Sequence, residues 1–272
     1  MPTASTNGPH LDAYSPPEIA QRVESVGVAK ARTDALTLFL LAGLAGAFIS
    51  LGAFFYTVVV TGSHLGFGVT RLLGGLSFSL GLVLVIVAGA ELFTGNNLIA
   101  MAWASRKIRT TELLRNWGIV YVGNVTGCLW TAFLLLWSDI DTAGGAIDGT
   151  ALAIAHAKIE LSIGAMFTRG VLCNALVCLA VWLALGGVTV TDKILAILLP
   201  ITAFVTIGFE HSIANWFFLP YAILIDGRGV LDWSGALTNL VVVTAGNIVG
   251  GTLLVAGVYW TAYLRRGKKS AP

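Results

Sequence analysis

Charged residues are scarce in this sequence. Aspartate, glutamate, lysine and arginine together make up 11% of the 272 residues, whereas soluble domains carry about 25%. Hydrophobic residues account for 56% of the chain. This shortage of charge excludes an ordinary soluble domain and indicates an integral membrane protein. We therefore expect the lipid bilayer to surround it, and we expect no nucleic-acid partner.

Cysteine is also rare, with Cys128, Cys173 and Cys178 as the only three. An odd number without a framework spacing argues against a set of disulfides. All three lie in apolar runs, where cysteine packs as a small apolar side chain.

Short motifs that would indicate other membrane proteins are absent as well. The sequence has no H-x-x-H or C-x-x-C motif, and Glu210 and His211 are adjacent, so on a helix they would point about 100° apart. These features disfavour a membrane metalloenzyme. The N-P-A turns expected of a water or glycerol pore are also missing. We expect no enzyme activity, no bound metal and no cofactor.

Six apolar runs are long enough to cross a bilayer, since the hydrocarbon core needs about 20 helical residues. They cover approximately residues 36–60, 70–104, 114–137, 159–185, 193–225 and 236–264. The second and fifth runs would be roughly 50 Å long as straight helices, against a core of about 30 Å. We therefore predict that both are broken near the middle.

The basic residues are concentrated in alternate connections. Twelve lie in the N-terminal arm, the second and fourth loops and the C-terminal tail, while the other three loops hold only Arg71, Lys158 and Arg228. By the positive-inside rule both termini are predicted to be cytoplasmic. The predicted location is the cell's inner membrane, crossed several times, with a basic cytoplasmic tail at 265–272.

The N-terminal arm, residues 1–35, carries no early apolar run of the signal-peptide type. Two prolines at 16–17 and an acidic residue directly after them are typical of a helix start. The apolar residues that follow, Ile19, Val23 and Val26, recur at helical spacing. They predict an amphipathic helix on the membrane surface, with a solvated arm as the alternative.

Two motifs occur twice in the same order. G-x-E-x-x-x-x-N occupies residues 89–96 and again 208–215, at an offset of 119. N-x6-G-N-x-x-G occupies residues 116–127 and again 239–250, at an offset of 123. Two matches at nearly equal offsets indicate an internal repeat.

The repeat unit has three crossings, at residues about 36–140 and 157–264 of a transmembrane domain spanning 36–264. Because three is odd, the second copy must enter from the opposite face, and the repeat is inverted, as in many transporters. We predict an all-α fold of six transmembrane helices with broken second and fifth helices. Asn124 and Asn247 are expected to bond across helices where glycine permits close approach.

The repeat brings two acidic residues to equivalent positions near the membrane midplane. A structural role is favoured for them, as acceptors for N–H groups at the helix breaks. The residues expected to stabilise the breaks are Glu91, Glu210, Asn96 and Asn215.

The breaks themselves are expected where glycine relaxes the backbone, at Gly89, Gly95 and Gly208. In the second crossing the non-helical loop is predicted at Phe93 and Thr94. In inverted repeats of this kind, half-helix N-termini direct N–H groups toward an anion at the midplane.

The stretches GAELFTGN, RGVLCNALVCLAVW, GFEHSIAN and GNIVGG resemble the formate/nitrite transporter family, and the resemblance runs from SPPEIAQ to the last helix. It implies an aquaporin-like six-helix fold, assembled as a homopentamer with one pore per protomer. It also implies passage of small monovalent anions such as formate, nitrite and hydrosulfide. The ELFTG form occurs among nitrite and mixed-substrate members, so the motif does not select one substrate.

The resemblance also assigns roles to individual residues. The substrate-pathway residues it implies are the central histidine His211, Thr94, the vestibule lysine Lys158, and Asn174. The apolar constrictions on either side of the histidine correspond to Phe78, Leu82, Phe93, Phe204 and Val177.

His211 is the only histidine inside a crossing segment, where polar groups are costly and usually functional. With an unperturbed pKa of about 6.5, it could pass a proton to a weak-acid anion or attract the anion by its charge. We predict a pH-dependent channel or transporter for formate-like anions. The alternatives are a nitrite or hydrosulfide transporter of the same family, or a channel for water or small neutral solutes. Arg169, placed well inside the fourth crossing, is expected to pair with a carboxylate or with backbone carbonyls, with direct anion contact as the alternative.

Overall fold

The protein is helical throughout the part of the chain that the structure describes. This computed structural model describes residues 13–140, 145–227, 229 and 231–265. In chain order the helices are α1 (Pro16–Arg32), α2 (Ala35–Val60), α3 (Phe67–Phe78), α4 (Leu80–Val87), α5 (Phe93–Asn96), α6 (Ala100–Ala104), α7 (Thr110–Trp137), α8 (Ala146–Ile159), α9 (Ile163–Gly186), α10 (Val190–Ile207), α11 (Ser212–Ile225) and α12 (Trp233–Val249). A short 3-10 turn joins α5 to α6, and α12 continues as π-helix to Leu264. Apart from Arg265, the predicted basic tail lies outside the described residues.

Six helical stretches are long and apolar enough to cross a membrane, which confirms the predicted all-α six-crossing fold. They are Ala35–Val60, Phe67–Val87, Thr110–Trp137, Ile163–Gly186, Val190–Ile207 and Trp233–Leu264. The apolar helix α11 completes the fifth crossing after a break. In the second crossing α5 and α6 follow α4 in the same way.

Both over-long runs are interrupted, as their lengths predicted. α4 and α10 end at glycines with positive φ, 85° at Gly89 and 87° at Gly208, a conformation that only glycine adopts at low cost. The same backbone hydrogen bond ends both helices. The residue after each glycine donates its N–H to the carbonyl five positions earlier, from Ala90 to Val85 at 2.8 Å and from Phe209 to Phe204 at 3.0 Å.

The predicted place of the first break was wrong. The non-helical residues are 88–92, and Phe93 and Thr94 begin the short helix α5. The reason is that the helix ends at the left-handed Gly89 and not at Gly95, which lies inside α5.

The N-terminal helix α1 packs against the bundle, which rules out a solvated arm. Ile19 and Val23 are buried, and they contact a cluster that includes Met101 and Trp182. On the neighbouring turn Glu24 is buried as well, and its carboxylate is paired with Lys107. α1 is therefore part of the folded domain.

The fourth crossing begins later than the sequence indicated. Residues 146–159 form the separate helix α8, and α9 starts at Ile163, where the Ser162 hydroxyl accepts the Ala165 N–H at 3.2 Å. The expectation that Arg169 lies well inside a crossing was therefore wrong, since Arg169 is in the second turn of α9. Residues that were predicted to be a polar connection form the alanine-rich helix α8.

The inverted repeat is visible in how the helices cross. α2 packs on α7, and α9 packs on α12, along most of their lengths. A Cβ placed on Gly127 would lie 2.0 Å from Gly43 O, and a Cβ placed on Gly250 would lie 2.1 Å from Val171 O. The two pairs of helices thus touch through their backbones at equivalent positions, which only glycine permits.

Candidate functional site

Two half-helices, one from each repeat, meet at His211. This residue is the N-cap of α11, and its Nδ1 accepts the Ala214 N–H at 3.1 Å. Because Nδ1 accepts, the neutral ring carries its proton on Nε2, which lies 3.0 Å from Thr94 Oγ1. The histidine is 3% exposed and the threonine is fully buried. The imidazole thus offers one N–H donor at the point where the breaks face each other.

The break in the second crossing is surrounded by a closed ring of four polar side chains. Lys30 Nζ donates to Glu91 Oε2 and to Asn96 Oδ1, each at 3.0 Å. Asn96 Nδ2 donates to the same Glu91 oxygen at 2.8 Å and to Asn116 Oδ1 at 3.0 Å. The ring closes where Asn116 Nδ2 donates to the Lys30 carbonyl at 3.0 Å.

The break in the fifth crossing has the same ring. Lys158 Nζ donates to both Glu210 oxygens at 3.1 Å, and Asn215 Nδ2 donates to Glu210 at 2.6 Å and to Asn239 at 2.8 Å. Asn239 Nδ2 donates to the Lys158 carbonyl at 3.0 Å. The four predicted break residues thus lie at the breaks, each glutamate held by a lysine and an asparagine.

The rings extend the internal repeat to α1 and to the whole of α8, of which the predicted units included only residues 157–159. Lys30 in α1 matches Lys158 in α8 at an offset of 128, so each repeat starts with a short helix that carries a lysine. The sequence offered a weak signal: Ala-Lys occurs at both places, with Phe39 and Phe167 each nine residues further on. One shared dipeptide and one shared phenylalanine are too short a pattern to distinguish a repeat from chance.

The backbone at each break is bonded by an asparagine from the facing helix. Asn124 accepts the Phe93 N–H at 2.8 Å and donates to the Glu91 carbonyl at 2.8 Å. Asn247 accepts the Ser212 N–H at 2.8 Å and donates to the Glu210 carbonyl at 3.0 Å. Irregular backbone at membrane depth is stable when it is bonded within the protein in this way. These N–H groups are therefore not available to an anion, contrary to the sequence-based expectation.

Two cavities approach the breaks from opposite faces. We call the first the Lys158 mouth; it has a volume of about 340 Å³. The residues that define it here are Tyr56, Arg71, Phe78, Lys158, Arg169, Phe204, Glu210 and His211. The second, the Lys30 mouth, has a volume of about 40 Å³. The residues that define it here are Lys30, Leu82, Leu92 and Asn96.

Apolar side chains lie beside His211 and line the two mouths. The rings of Phe78 and Phe204 meet edge to face with centroids 5.5 Å apart, and Phe204 stacks on the His211 ring at 6.0 Å. Leu82 is buried at the Lys30 mouth. Three of the five predicted constriction residues thus line a mouth.

The other two predicted constriction residues, and Asn174, line neither mouth. The Phe93 ring packs on Tyr121 with centroids 4.9 Å apart, and Val177 is buried in the core. Asn174 donates to Asn97 Oδ1 at 2.8 Å and to a backbone carbonyl of α12 at 2.6 Å. The structure places these residues in the packing around the path.

Sequence reasoning missed Leu92 as a lining residue. Leu92 stands 119 positions before His211, so the repeat places leucine at one break where the other has histidine. The offset of the repeat alone is enough to indicate that Leu92 and His211 are equivalent. In the part of the chain that is described, no group of three or more His, Cys, Asp or Glu side chains could hold a metal.

Six crossings, two broken helices and two cavities that approach the breaks are typical of a membrane channel or transporter. The family model described as Formate/nitrite transporter matches residues 17–261, and the chain belongs to this family.

Individual relatives agree with this assignment. The chain is 40% identical over 275 residues to the formate channel FocA of Escherichia coli (strain K12), covering 94% of this chain and 96% of that protein. It is 38% identical over 270 residues to a probable formate transporter of Methanothermobacter thermautotrophicus, covering 92% and 97%.

Solved structures give the same result. A pentameric formate channel with formate bound has a TM-score of 0.79 and 42% identity, covering 85% of this chain and 98% of that chain. An FNT family ion channel has a TM-score of 0.83 and 28% identity, covering 90% and 98%.

Proposed function

We propose that the protein conducts formate and similar small monovalent anions, nitrite included, along the path from the Lys30 mouth past His211 to the Lys158 mouth. The observation that carries this proposal is the contact between His211 Nε2 and Thr94 Oγ1, 3.0 Å apart. It is a polar pair next to an apolar narrowing, with a lysine on each side. Relatives described as formate channels support the choice of substrate.

The barrier for a charged substrate lies at the apolar side chains beside His211, among them the rings of Phe78 and Phe204. Moving an ion from water into such surroundings costs, in the idealised limit, on the order of 20 kcal/mol. The lysines raise the concentration of anions at the mouths but do not lower that cost. A proton placed on the anion removes the charge and most of the barrier with it.

His211 supplies this proton in a step that balances. A hydronium ion from the more acidic side gives a proton to Nδ1 and forms the imidazolium; Nε2 then gives its proton to an oxygen of formate, which leaves formic acid and a neutral ring protonated on Nδ1. The resting ring returns when Nε2 takes up a proton from water and Nδ1 releases its own. Forming the imidazolium requires Nδ1 to give up the Ala214 N–H that it accepts at rest. Proton supply is therefore linked to the cap of α11, and conduction depends on pH. In the resting ring Nε2–H acts as a hydrogen-bond donor for the arriving anion.

Assembly and orientation follow from the relatives and from the charge distribution. We propose a homopentamer with one path in each protomer, supported by the pentameric formate channel at 42% identity. Both termini are proposed to lie in the cytoplasm and the protein in the cell's inner membrane, because basic residues are concentrated in the loops on the side of the termini.

Uptake of labelled formate and of nitrite into proteoliposomes, measured side by side from pH 5 to 8, tests the proposal. Protein-free liposomes give the background. We expect formate uptake well above background and faster on the acidic side. Nitrite uptake exceeding formate uptake would make nitrite the main substrate. Rapid shrinkage in an impermeant solute, or rapid reswelling in a small neutral solute, without uptake of either anion, would replace the proposal by a pore for water or small neutral solutes.

A further inference from the structure

The Lys158 mouth contains two arginines that take no part in the ring around Glu210. Arg71 on α3 is half-buried; its Nε donates to the Thr206 carbonyl at 3.1 Å and its Nη1 to the Tyr56 hydroxyl at 3.3 Å. Arg169 on α9 is exposed, and its Nη1 donates to the Gly208 carbonyl at 3.4 Å. A Cβ placed on Gly208 would lie 2.8 Å from Arg71 Nη2. Both guanidinium groups therefore reach the same residue of the break.

The fold does not need these arginines to form the break. At the repeat offsets, Arg71 corresponds to Val190 and Arg169 to Leu41. The end of α4 closes with the same backbone bond as the end of α10, although no arginine contacts it among the described residues. The pair is an addition to one mouth of a symmetric framework.

The two arginines also lack acidic partners. Among the described residues no carboxylate lies within ion-pair distance of either guanidinium. Glu210 is the one acidic residue of the described chain that lines this mouth, and Lys158 and Asn215 already bind it. Of the described residues lining the Lys30 mouth, Lys30 alone is charged, and it is paired with Glu91. Excess positive charge is thus confined to the Lys158 mouth.

The chemistry of the pair fits carboxylates. A guanidinium has more N–H donors than these bonds use, arranged in a fork that binds a carboxylate through two parallel bonds. Such charge-assisted bidentate pairs are stronger than neutral hydrogen bonds. The cavity of about 340 Å³ is much larger than a one-carbon acid requires. Two guanidiniums around one glycine, inside such a space, suit a ligand with two carboxylates.

We propose that Arg71 and Arg169 form a carboxylate-binding site at the Lys158 mouth that takes small dicarboxylates of the malonate type and has no counterpart at the Lys30 mouth. A doubly charged ligand faces a higher barrier at the Phe78 and Phe204 rings than formate does. It occupies the mouth without passing and blocks the path from that face. Only this blocking effect depends on the function proposed above.

Calorimetric titration of malonate into the purified full-length protein tests the site without any transport. Acetate is the one-carboxylate comparison, and the variants are Arg71→Gln and Arg169→Gln. The control is Arg115→Gln, which also removes an arginine bond to a backbone carbonyl, at 3.0 Å from Thr33 O, but on α7 away from this mouth. Since a hydrogen bond to a charged group contributes about 1.5–3 kcal/mol, each mouth variant should bind malonate at least about tenfold more weakly. The control should bind like wild type.

The inference falls if wild type binds malonate no better than acetate, or if both mouth variants bind it like wild type. If a mouth variant does not fold, block of wild-type formate flux decides: malonate should inhibit from one face of oriented vesicles only, and equal inhibition from both faces overturns the site. Malonate binding by a protein that conducts no formate would refute the proposed function and leave this site intact. Formate flux without malonate binding would refute this site and leave the proposed function intact.

Discussion

Thr94 and His211 are 117 positions apart in the chain, yet Thr94 Oγ1 lies 3.0 Å from His211 Nε2. Each residue belongs to the half-helix that follows a break, one in each repeat. The pseudo-symmetric framework brings the two half-helices together, and the sequence then breaks the symmetry, with leucine at 92 and histidine at 211. Positions 92 and 211 are therefore a place where the two repeats differ in chemistry while sharing a backbone.

Replacing His211 by asparagine should preserve the fold and remove the pH dependence. Asparagine is among the best N-cap residues, so its side-chain oxygen can still accept the Ala214 N–H that His211 Nδ1 accepts now. It has no proton to exchange in the range from pH 5 to 8. We expect thermal stability near that of wild type, with formate flux either lost or independent of pH.

The matched control is His156→Asn. His156 lies on α8 with 43% of its side chain exposed and contacts Glu160 at 3.1 Å, and its replacement should leave the pH profile unchanged. If His211→Asn gave wild-type formate flux at every pH with unchanged selectivity, His211 would be a structural residue only.

Periodicity and length sufficed to predict the six crossings. The repeated Gly, Glu and Asn positions predicted one break in each long run and the inverted repeat, but the first break lies at residues 88–92 and not at Phe93 and Thr94. They could not show which side chain lines a cavity at the break, because a break redirects side chains in a way that helical spacing does not describe. The resemblance implies a constriction at Phe93, whereas Leu92 lines the Lys30 mouth and the Phe93 ring packs on Tyr121. The sequence predicts a polar connection at α8 and a surface helix at α1, because the contacts of Lys30 with Glu91 and of Lys158 with Glu210 join residues far apart in sequence.

The left-handed glycines give a second prediction. An alanine at Gly89 or Gly208 would be held at positive φ, which costs about 1–2 kcal/mol. A Cβ on Gly208 would also displace Arg71, whereas on Gly89 it would meet no atom within 4 Å. We expect both variants to be less stable than wild type, and Gly208→Ala to lose more, as measured by thermal unfolding in detergent.

Gly149→Ala is the control for this comparison. Gly149 is exposed at the end of the first turn of α8, without positive φ and with nothing within 4 Å of an added Cβ. Alanine there should raise stability by about 0.5–1 kcal/mol. Equal stability of Gly89→Ala and wild type would mean that the break does not need the left-handed conformation.

The topology gives a third prediction. Reporter fusions at residues 145 and 268 are separated by three crossings, so they should report opposite sides of the membrane. The concentration of basic residues places 268 in the cytoplasm. The same side for both fusions would contradict the inverted repeat.

The glutamates at the breaks give the last prediction. Removing one partner of a buried ion pair leaves the other charge without compensation. Glu210 and Lys158 have 5% and 14% of their side chains exposed, against 13% and 29% for Glu91 and Lys30. Allowing for solvent at the lysines, we expect Glu210→Gln to lower the unfolding free energy by about 2–3 kcal/mol. Glu91→Gln should lower the unfolding free energy by less, because water reaches Lys30 more easily than Lys158.

Two further variants make this comparison specific. Glu160→Gln removes a glutamate whose side chain is 68% exposed, and exposed pairs contribute little, so its unfolding temperature should match that of wild type. Adding Lys158→Met to Glu210→Gln removes the uncompensated charge and should recover part of the lost stability. If the double variant were less stable than Glu210→Gln alone, then Lys158 would stabilise the break through its other contacts and not through its charge pair with Glu210.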